Sequence, residues 1–206
     1  MSKNGKKIVA VVGTYRPGHV IDTAVDELLA GAEKGGAQVE KIMLLDQHIE
    51  FCRNCRACTQ MEGPERGACP IEDDMRGILD TLEGADGIVF ASPVNFGTVT
   101  ALMKRFIERF ICYAYWPWDV PKAPAVRLKK KVKPAVLITS SMCPAFIARW
   151  MMPNALKTMK SAAACLGAKP IGKLFFGMVA VKAQEGPNQK QLLKAFKMGR
   201  RLAGAL

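Results

Sequence analysis

Short unbroken apolar runs alternate along this chain with segments whose apolar residues recur at helical spacing. Lys7–Val12, Val39–Leu45, Gly87–Ala91, Ala135–Thr139 and Lys173–Val181 read as five strands. Their apolar residues are continuous rather than alternating, as expected of strands covered on both faces. Between them, Val20–Lys34 repeats Ala24, Leu28 and Ala32, with Val25 and Leu29 beside them, and Gly35-Gly36 stops it. Asp73–Leu82 places Met75, Ile78, Leu79 and Leu82 on one face, and Val99–Ile111 carries Leu102, Phe106 and Phe110 at i, i+4 and i+8. Ala148–Leu166 reads as a helix with an irregularity near Pro153, and Gln189–Ala205 as the last helix.

Five strands separated by helices require right-handed crossovers and therefore a parallel sheet with helices on both faces. One domain accounts for residues 1–206, with two irregular insertions at about 46–72 and 112–133. Ligands of such sheets sit beyond the carboxyl ends of the strands. That directs attention to three loops: Gly13–Ile21, Ser92–Thr98 and Thr139–Phe146.

Composition changes this picture little. The 30 Lys and Arg outnumber the 18 Asp and Glu, a formal charge of +12, which favours anionic partners without choosing among them. The apolar runs fall far short of the ~20 residues a spanning helix needs, and the stretch after the basic start ends by Gly13. The expectation is a cytoplasmic protein with no membrane partner. Seven cysteines in a reducing compartment read as thiols, ligands or redox groups, not as a disulfide framework.

The first loop, Gly13-Thr14-Tyr15-Arg16-Pro17-Gly18-His19, feeds a helix N-terminus, whose backbone N–H groups suit a phosphate. Thr14, Arg16 and His19 add a hydroxyl, a cation and a ring nitrogen. Neither G-x-G-x-x-G nor G-x-x-x-x-G-K-[ST] is present, which speaks against a Rossmann dehydrogenase or a P-loop ATPase. In Ser92-Pro93-Val94-Asn95-Phe96-Gly97 the backbone amides suit the polar edge of a flat ring, and Val94 or Phe96 its face. Thr139-Ser140-Ser141-Met142-Cys143 is small and polar, equally suited to a ligand or to a plain connection.

Cys52-x2-Cys55-x2-Cys58-x10-Cys69-Pro70 is the most informative local feature. A four-iron cluster needs four thiolates on one small volume, and three cysteines at steps of three can supply most of them from one loop. A structural zinc, a redox disulfide or an unliganded connection would use the same residues. Cys112, Cys143 and Cys165 lack spacing partners.

Taken together, Gly13-Thr14-x-Arg16, the run Cys52 to Cys69, Ile71-Glu72-Asp73-Asp74-Met75, and Ala85-Asp86-Gly87-Ile88 with Ser92-Pro93-Val94, Lys104 and Arg109 resemble the flavodoxin-like NAD(P)H-dependent FMN reductases, and in particular the iron–sulfur flavoproteins. The resemblance covers Lys7 to about Leu206. It implies a flavodoxin-like α/β three-layer sandwich with a five-stranded parallel sheet in the order 2-1-3-4-5, FMN at the three loops, and a homodimer or homotetramer. By that likeness Thr14, Arg16, His19, Val20 and Ile21 surround the phosphate. Pro93, Val94, Asn95, Phe96 and Gly97 line the isoalloxazine, with Thr139 and Ser140 nearby. The family often has a small hydroxyl residue or Asn where Val20 and Ile21 stand, so by the resemblance backbone N–H groups, Arg16 and His19 would carry more of the phosphate binding; it also often has an aromatic where Asn95 stands. The iron–sulfur flavoproteins share the cysteine run with a shorter final gap, which makes Cys52, Cys55, Cys58 and Cys69 the ligands of a 4Fe-4S cluster if one is held.

Tyr113, Tyr115, Trp116 and Trp118, among Pro117, Pro121 and Pro124, read as a lid over the flavin or an interface between subunits, with plain packing on their own domain as the alternative. Arg127, Lys129, Lys130, Lys131 and Lys133 read as a solvated stretch, with attraction of the NADPH 2′-phosphate as the functional alternative. The leading function is an FMN-dependent oxidoreductase that takes electrons from NAD(P)H or a redox-protein donor. In it the flavin does the chemistry and no side chain stands out as catalytic. The second is a non-enzymatic electron carrier or redox sensor built on Cys52–Cys69. Nucleic-acid binding ranks last, because no reading motif is present and the basic residues are spread along the chain.

Overall fold

The computed structural model describes residues 5–128, 132–179 and 186–206. Strands β1 (Lys7–Val12), β2 (Gln38–Met43), β3 (Gly87–Ala91), β6 (Lys133–Ser140) and β7 (Ala168–Phe176) form one sheet in the order β2-β1-β3-β6-β7. Every neighbouring pair is parallel. This is the expected order. Strands β4 (Ala114–Tyr115) and β5 (Ala125–Val126) form a small antiparallel hairpin inside the second insertion.

The continuous apolar runs are explained by double burial. All five residues of β3 are buried, as are Ile8 to Val12 of β1. Their alternate side chains feed two cores. Val9, Val11, Ile88 and Phe90 join α2 (Met75–Gly84), α3 (Ala101–Glu108) and α5 (Asn154–Cys165) on one face. Ile8, Ala10, Val12 and Val89 join α1 (Val20–Lys34) and α6 (Gln189–Ala203) on the other. The first core carries an aromatic chain, Phe90, Phe106, Phe110 and Tyr113, with successive centroids 6.2, 4.9 and 5.6 Å apart and edge-on or tilted, as ring quadrupoles prefer.

Several boundaries differ from expectation for local reasons. Asp73 lies outside α2, which begins at Met75, and its carboxylate accepts Met75 N–H at 3.1 Å. The third helix tightens into a 3-10 turn over Arg109–Tyr113. The segment expected as one helix over 148–166 is two, α4 (Ala145–Met151) and α5, broken at Met152-Pro153. The last strand begins five residues before Lys173 despite Lys169 and Pro170, which belong to a protected sheet edge with a register shift facing Ala135/Val136. Its expected end at Val181 lies outside the described residues, as do Lys129, Lys130 and Lys131.

Candidate functional site

The three expected loops meet at the carboxyl ends of β1, β3 and β6 around a cavity of about 310 Å³. Thr14, Arg16, His19, Val20, Ile21, Pro93, Val94, Asn95 and Ser140 line it, together with Tyr15, Ser141, Met142 and Val179. A web of hydrogen bonds fixes the loops to each other. Gly13 N–H donates to Ala91 O at 2.8 Å. Thr100 Oγ1 donates to Gly13 O at 2.6 Å and accepts Met103 N–H at 3.2 Å, so one hydroxyl both caps α3 and holds the first loop. Ser92 Oγ accepts Thr100 N–H at 3.0 Å, and Val94 N–H donates to Ser140 O at 2.8 Å, which ties the second loop to the third. A Cβ at Gly13 would lie 2.7 Å from Met103 Cβ, so only glycine lets α3 come this close.

At the entrance of α1, Thr14 Oγ1 accepts Arg16 N–H at 3.2 Å. Arg16 Nη2 lies 3.2 Å from His19 Nδ1. A guanidinium can only donate, so a hydrogen bond here requires Nδ1 to accept. Asp22 accepts Gly18 N–H at 2.7 Å and pairs with Lys41 at 2.9 Å. Lys41 keeps its proton above the usual lysine range: burial alone would lower its pKa, but hydrogen bonds to Asp26 and Asp22 outweigh it. The Val20 and Ile21 side chains belong to the core beneath α1, so their contribution to the cavity is backbone and wall. Positive charge and N–H donors thus converge where a phosphate would sit.

Three expected residues, Phe96, Gly97 and Thr139, lie elsewhere. Asn95 and Thr98 exchange two backbone hydrogen bonds of 2.8 and 3.1 Å across a two-residue turn, with φ of 46° at Phe96 and 82° at Gly97. Phe96 therefore stands at the tip in full solvent exposure and neither residue lines the cavity. Thr139 is buried below Ser140, and its Oγ1 has no hydrogen-bond partner among the described residues. Thr100 escaped the sequence reading, although a Thr ahead of an apolar helix is an N-cap signal.

The cysteine loop is anchored by cations. Arg109 and Asp73 form a buried ion pair, with side chains 3% and 0% exposed. Arg109 also donates to Glu50 O at 2.9 Å and to Cys69 Sγ at 3.4 Å. Asp73 accepts Glu50 and Met75 N–H. Cys58 is buried, Cys52 and Cys69 are half-buried and Cys55 is exposed. Burial, with neighbouring Cys69, Cys52 and Cys55 adding repulsion, raises the Cys58 thiol to about 11. The donor chemistry is that of a cluster site. Among the described residues, however, no three Cys, His, Asp or Glu are placed to hold one metal ion. A larger cavity of about 700 Å³ lies under this loop. Several of its polar wall residues are already paired: Arg66 with Asp80 and Glu83, Tyr113 with Glu83, Arg109 with Asp73. The smaller cavity, at the carboxyl ends of the sheet, is the better candidate site.

The aromatic insertion packs on the cysteine loop of its own domain. Arg56 lies between Trp116 and Trp118, 3.6 and 3.8 Å from their centroids, and donates to Trp116 O and Pro117 O at 2.6 and 2.9 Å. Arg127, expected in solvent, donates to the carbonyls of Cys112, Gly63 and Cys58. Lys133 caps the C-terminal carbonyls of α2, and burial lowers its pKa. Arg56→Ala is expected to cost about 2 kcal/mol, the scale of a desolvated cation–π contact. Thermal unfolding would report the loss, and quicker proteolysis within 112–128 would localise it.

A doubly wound parallel sheet with its cavity at the switch between β1 and β3 defines a flavodoxin-like protein. Residues 6–178 match the profile of the NADPH-dependent FMN reductase family, and the chain belongs to that family. It is 33% identical over 135 residues to an iron–sulfur flavoprotein of Methanocaldococcus jannaschii, covering 66% of this chain and 63% of that one. It is 32% identical over 111 residues to an iron–sulfur flavoprotein of Archaeoglobus fulgidus, covering 54% and 48%. The chain thus spans roughly half to just under two thirds of these relatives. Among solved structures it resembles an NAD(P)H:quinone oxidoreductase from Methanothermobacter marburgensis (TM-score 0.69, 15% identity, 96% and 97% covered). It also resembles an FMN-dependent NADH-azoreductase from Bacillus anthracis in complex with FMN (0.68, 14%, 97% and 98%). At these identities the likeness establishes the fold alone.

Proposed function

We propose that this protein is an FMN-dependent oxidoreductase that receives electrons from NAD(P)H or a redox-protein donor. The carrying observation is the cavity itself: a cationic helix entrance, a Pro93–Asn95 wall and a Ser140–Met142 wall, held by the Thr100–Gly13 and Val94–Ser140 bonds. FMN fits this set. Backbone N–H groups at the start of α1, Thr14, Arg16 and His19 would hold its phosphate, and Pro93, Val94 and Asn95 its ring. When bound, the flavin supplies hydride and electron transfer. The protein's part is to bind, orient and shield it. Family membership and curated relatives named as flavoproteins support this reading. The 4Fe-4S cluster belongs to the same proposal only as chemistry the four thiols suit, and no step is drawn through it. A homodimer or homotetramer in the cytoplasm completes the reading. Exposed Phe51, Met61 and Trp118 around the cysteine loop support self-association.

Titration of FMN, followed by quenching of its fluorescence, is the test, with anaerobic bleaching by NADH or NADPH as the second measurement. Arg16→Ala is expected to weaken FMN binding about 10- to 100-fold, the worth of one charge-assisted hydrogen bond. Failure of the wild-type chain to bind FMN would overturn the proposal.

A further inference from the structure

The positive charge is segregated, contrary to the sequence expectation of an even spread. Residues 1–120 hold 13 Lys and Arg against 17 Asp and Glu; residues 121–206 hold 17 against 1. The excess gathers at the β7 edge of the sheet. A groove of about 620 Å³ between β7 and α6 is lined by Lys173, Lys194, Lys197 and Arg201. A second, of about 460 Å³, is lined by Lys157, Lys160 and again Lys173. Phe175 also lines both, so the two grooves adjoin across β7. None of these six cations has a carboxylate partner among the described residues.

Beside the cations stand exposed apolar side chains. Trp150, Phe146, Met142, Met151 and Met178 are 83, 77, 70, 62 and 55% exposed. Groups of this size are not left in water by accident. An apolar centre with a charged rim is the anatomy of a protein interface, and exposed Met and Trp are typical of its anchors. The surface also reaches the flavin site. Pro144 and Met178 line the basic groove, and their neighbours Met142 and Val179 line the 310 Å³ cavity. Met178 N–H donates to Cys143 O at 3.2 Å and Val179 N–H to Ser141 O at 3.3 Å, which joins the two walls.

We propose that the face formed by α4, the β7 edge and α6 is the docking surface for an acidic redox protein, which it seats against the rim of the flavin cavity. A second copy of this chain is a poor occupant, because an isologous contact would set these cations against themselves. Strand addition is also disfavoured, since Pro170, Lys169, Lys173 and the register shift blunt the edge. The redox identity of the partner rests on the flavin reading; the docking surface does not.

A flavodoxin, small and strongly acidic, serves as the probe in calorimetry with the full chain freed of flavin. Binding is expected at low salt and should weaken about tenfold or more as the Debye length falls below ~10 Å. Lys194→Glu with Lys197→Glu, and separately Trp150→Ala, are each expected to weaken it about tenfold or more. Both variants should bind FMN as the wild type does, which also shows that they fold. Vesicles of phosphatidylglycerol, a single-stranded oligonucleotide and sedimentation of the chain alone form the other arms. No binding of flavodoxin, binding indifferent to charge reversal, or selective loss of vesicle, oligonucleotide or self-association in these variants would overturn the proposal. If flavodoxin docks but FMN does not bind, the flavin reading fails and the docking surface stands.

Discussion

Asp73→Ala is expected to destabilise the fold by about 3–5 kcal/mol, because it strands the buried Arg109 guanidinium. The carboxylate accepts Arg109 Nη1 at 2.5 Å and Nη2 at 3.3 Å, and Glu50 N–H at 2.8 Å. Removing it takes away several bonds and leaves a cation with a 3%-exposed side chain. Chemical denaturation would show the midpoint shift, and Asp73→Asn, which keeps the shape and some acceptors, should lose less. The pH dependence follows from the same contacts. Burial alone would raise the Asp73 pKa, but the Arg109 hydrogen bond, the Glu50 and Met75 N–H groups and the Arg109 charge hold it below the ordinary carboxylate value. Its folded pKa is therefore below the unfolded value of about 3.9. The stabilisation is complete above that unfolded value and is lost as pH falls through the folded one. Asp73→Asn should flatten this part of the acid limb; an acid limb identical to wild type would contradict the assignment.

The same pair shows where sequence reading stops. The order of the sheet was legible because strands buried on both faces leave continuous apolar runs, and Ile8–Val12 and Gly87–Ala91 are such runs. The phosphate end of the site was legible because a loop entering a helix carries its donors in consecutive residues, Thr14 to Ile21. The contacts that hold the site together join residues far apart in sequence. Thr100 meets Gly13 across 87 positions, and Arg109 meets Asp73 across 36. No periodicity encodes those. Arg127 and Lys133 looked solvated because basic neighbours surround them in sequence, yet each binds carbonyls that only folding presents. Phe96 looked like a ring-stacking residue until its positive φ placed it at the tip of a turn. Charge differs: the imbalance between residues 1–120 and 121–206 is countable in the sequence, but its gathering at one edge shows only once α5, β7 and α6 are known to share it.

Gly67→Val is expected to cost about 3 kcal/mol, the upper range for an overpacked site, and to open the cysteine loop. A Cβ at Gly67 would sit 1.7 Å from Cys58 O and 2.6 Å from Cys58 C, so the two backbones are in direct contact. The Cys58 carbonyl cannot yield freely, because Arg127 Nη2 donates to it at 3.3 Å. Gly67 N–H is itself fixed to Cys112 O at 2.8 Å. The added side chain must therefore lift the returning segment that carries Cys69, pulling its sulfur from Arg109. Cys58 is 6% exposed and its thiol sits at about 11, so it should resist alkylation near pH 8 in the wild type. In the variant its modification should accelerate about tenfold or more, the scale of even a modest rise in access and thiolate fraction. FMN binding should be unchanged, since the Thr14–Ile21 and Pro93–Asn95 loops take no support from Gly67. Mass-spectrometric alkylation rates resolve the thiols one by one. A Cys58 rate equal to wild type would mean that the long gap between Cys58 and Cys69 is not what shields the buried sulfur.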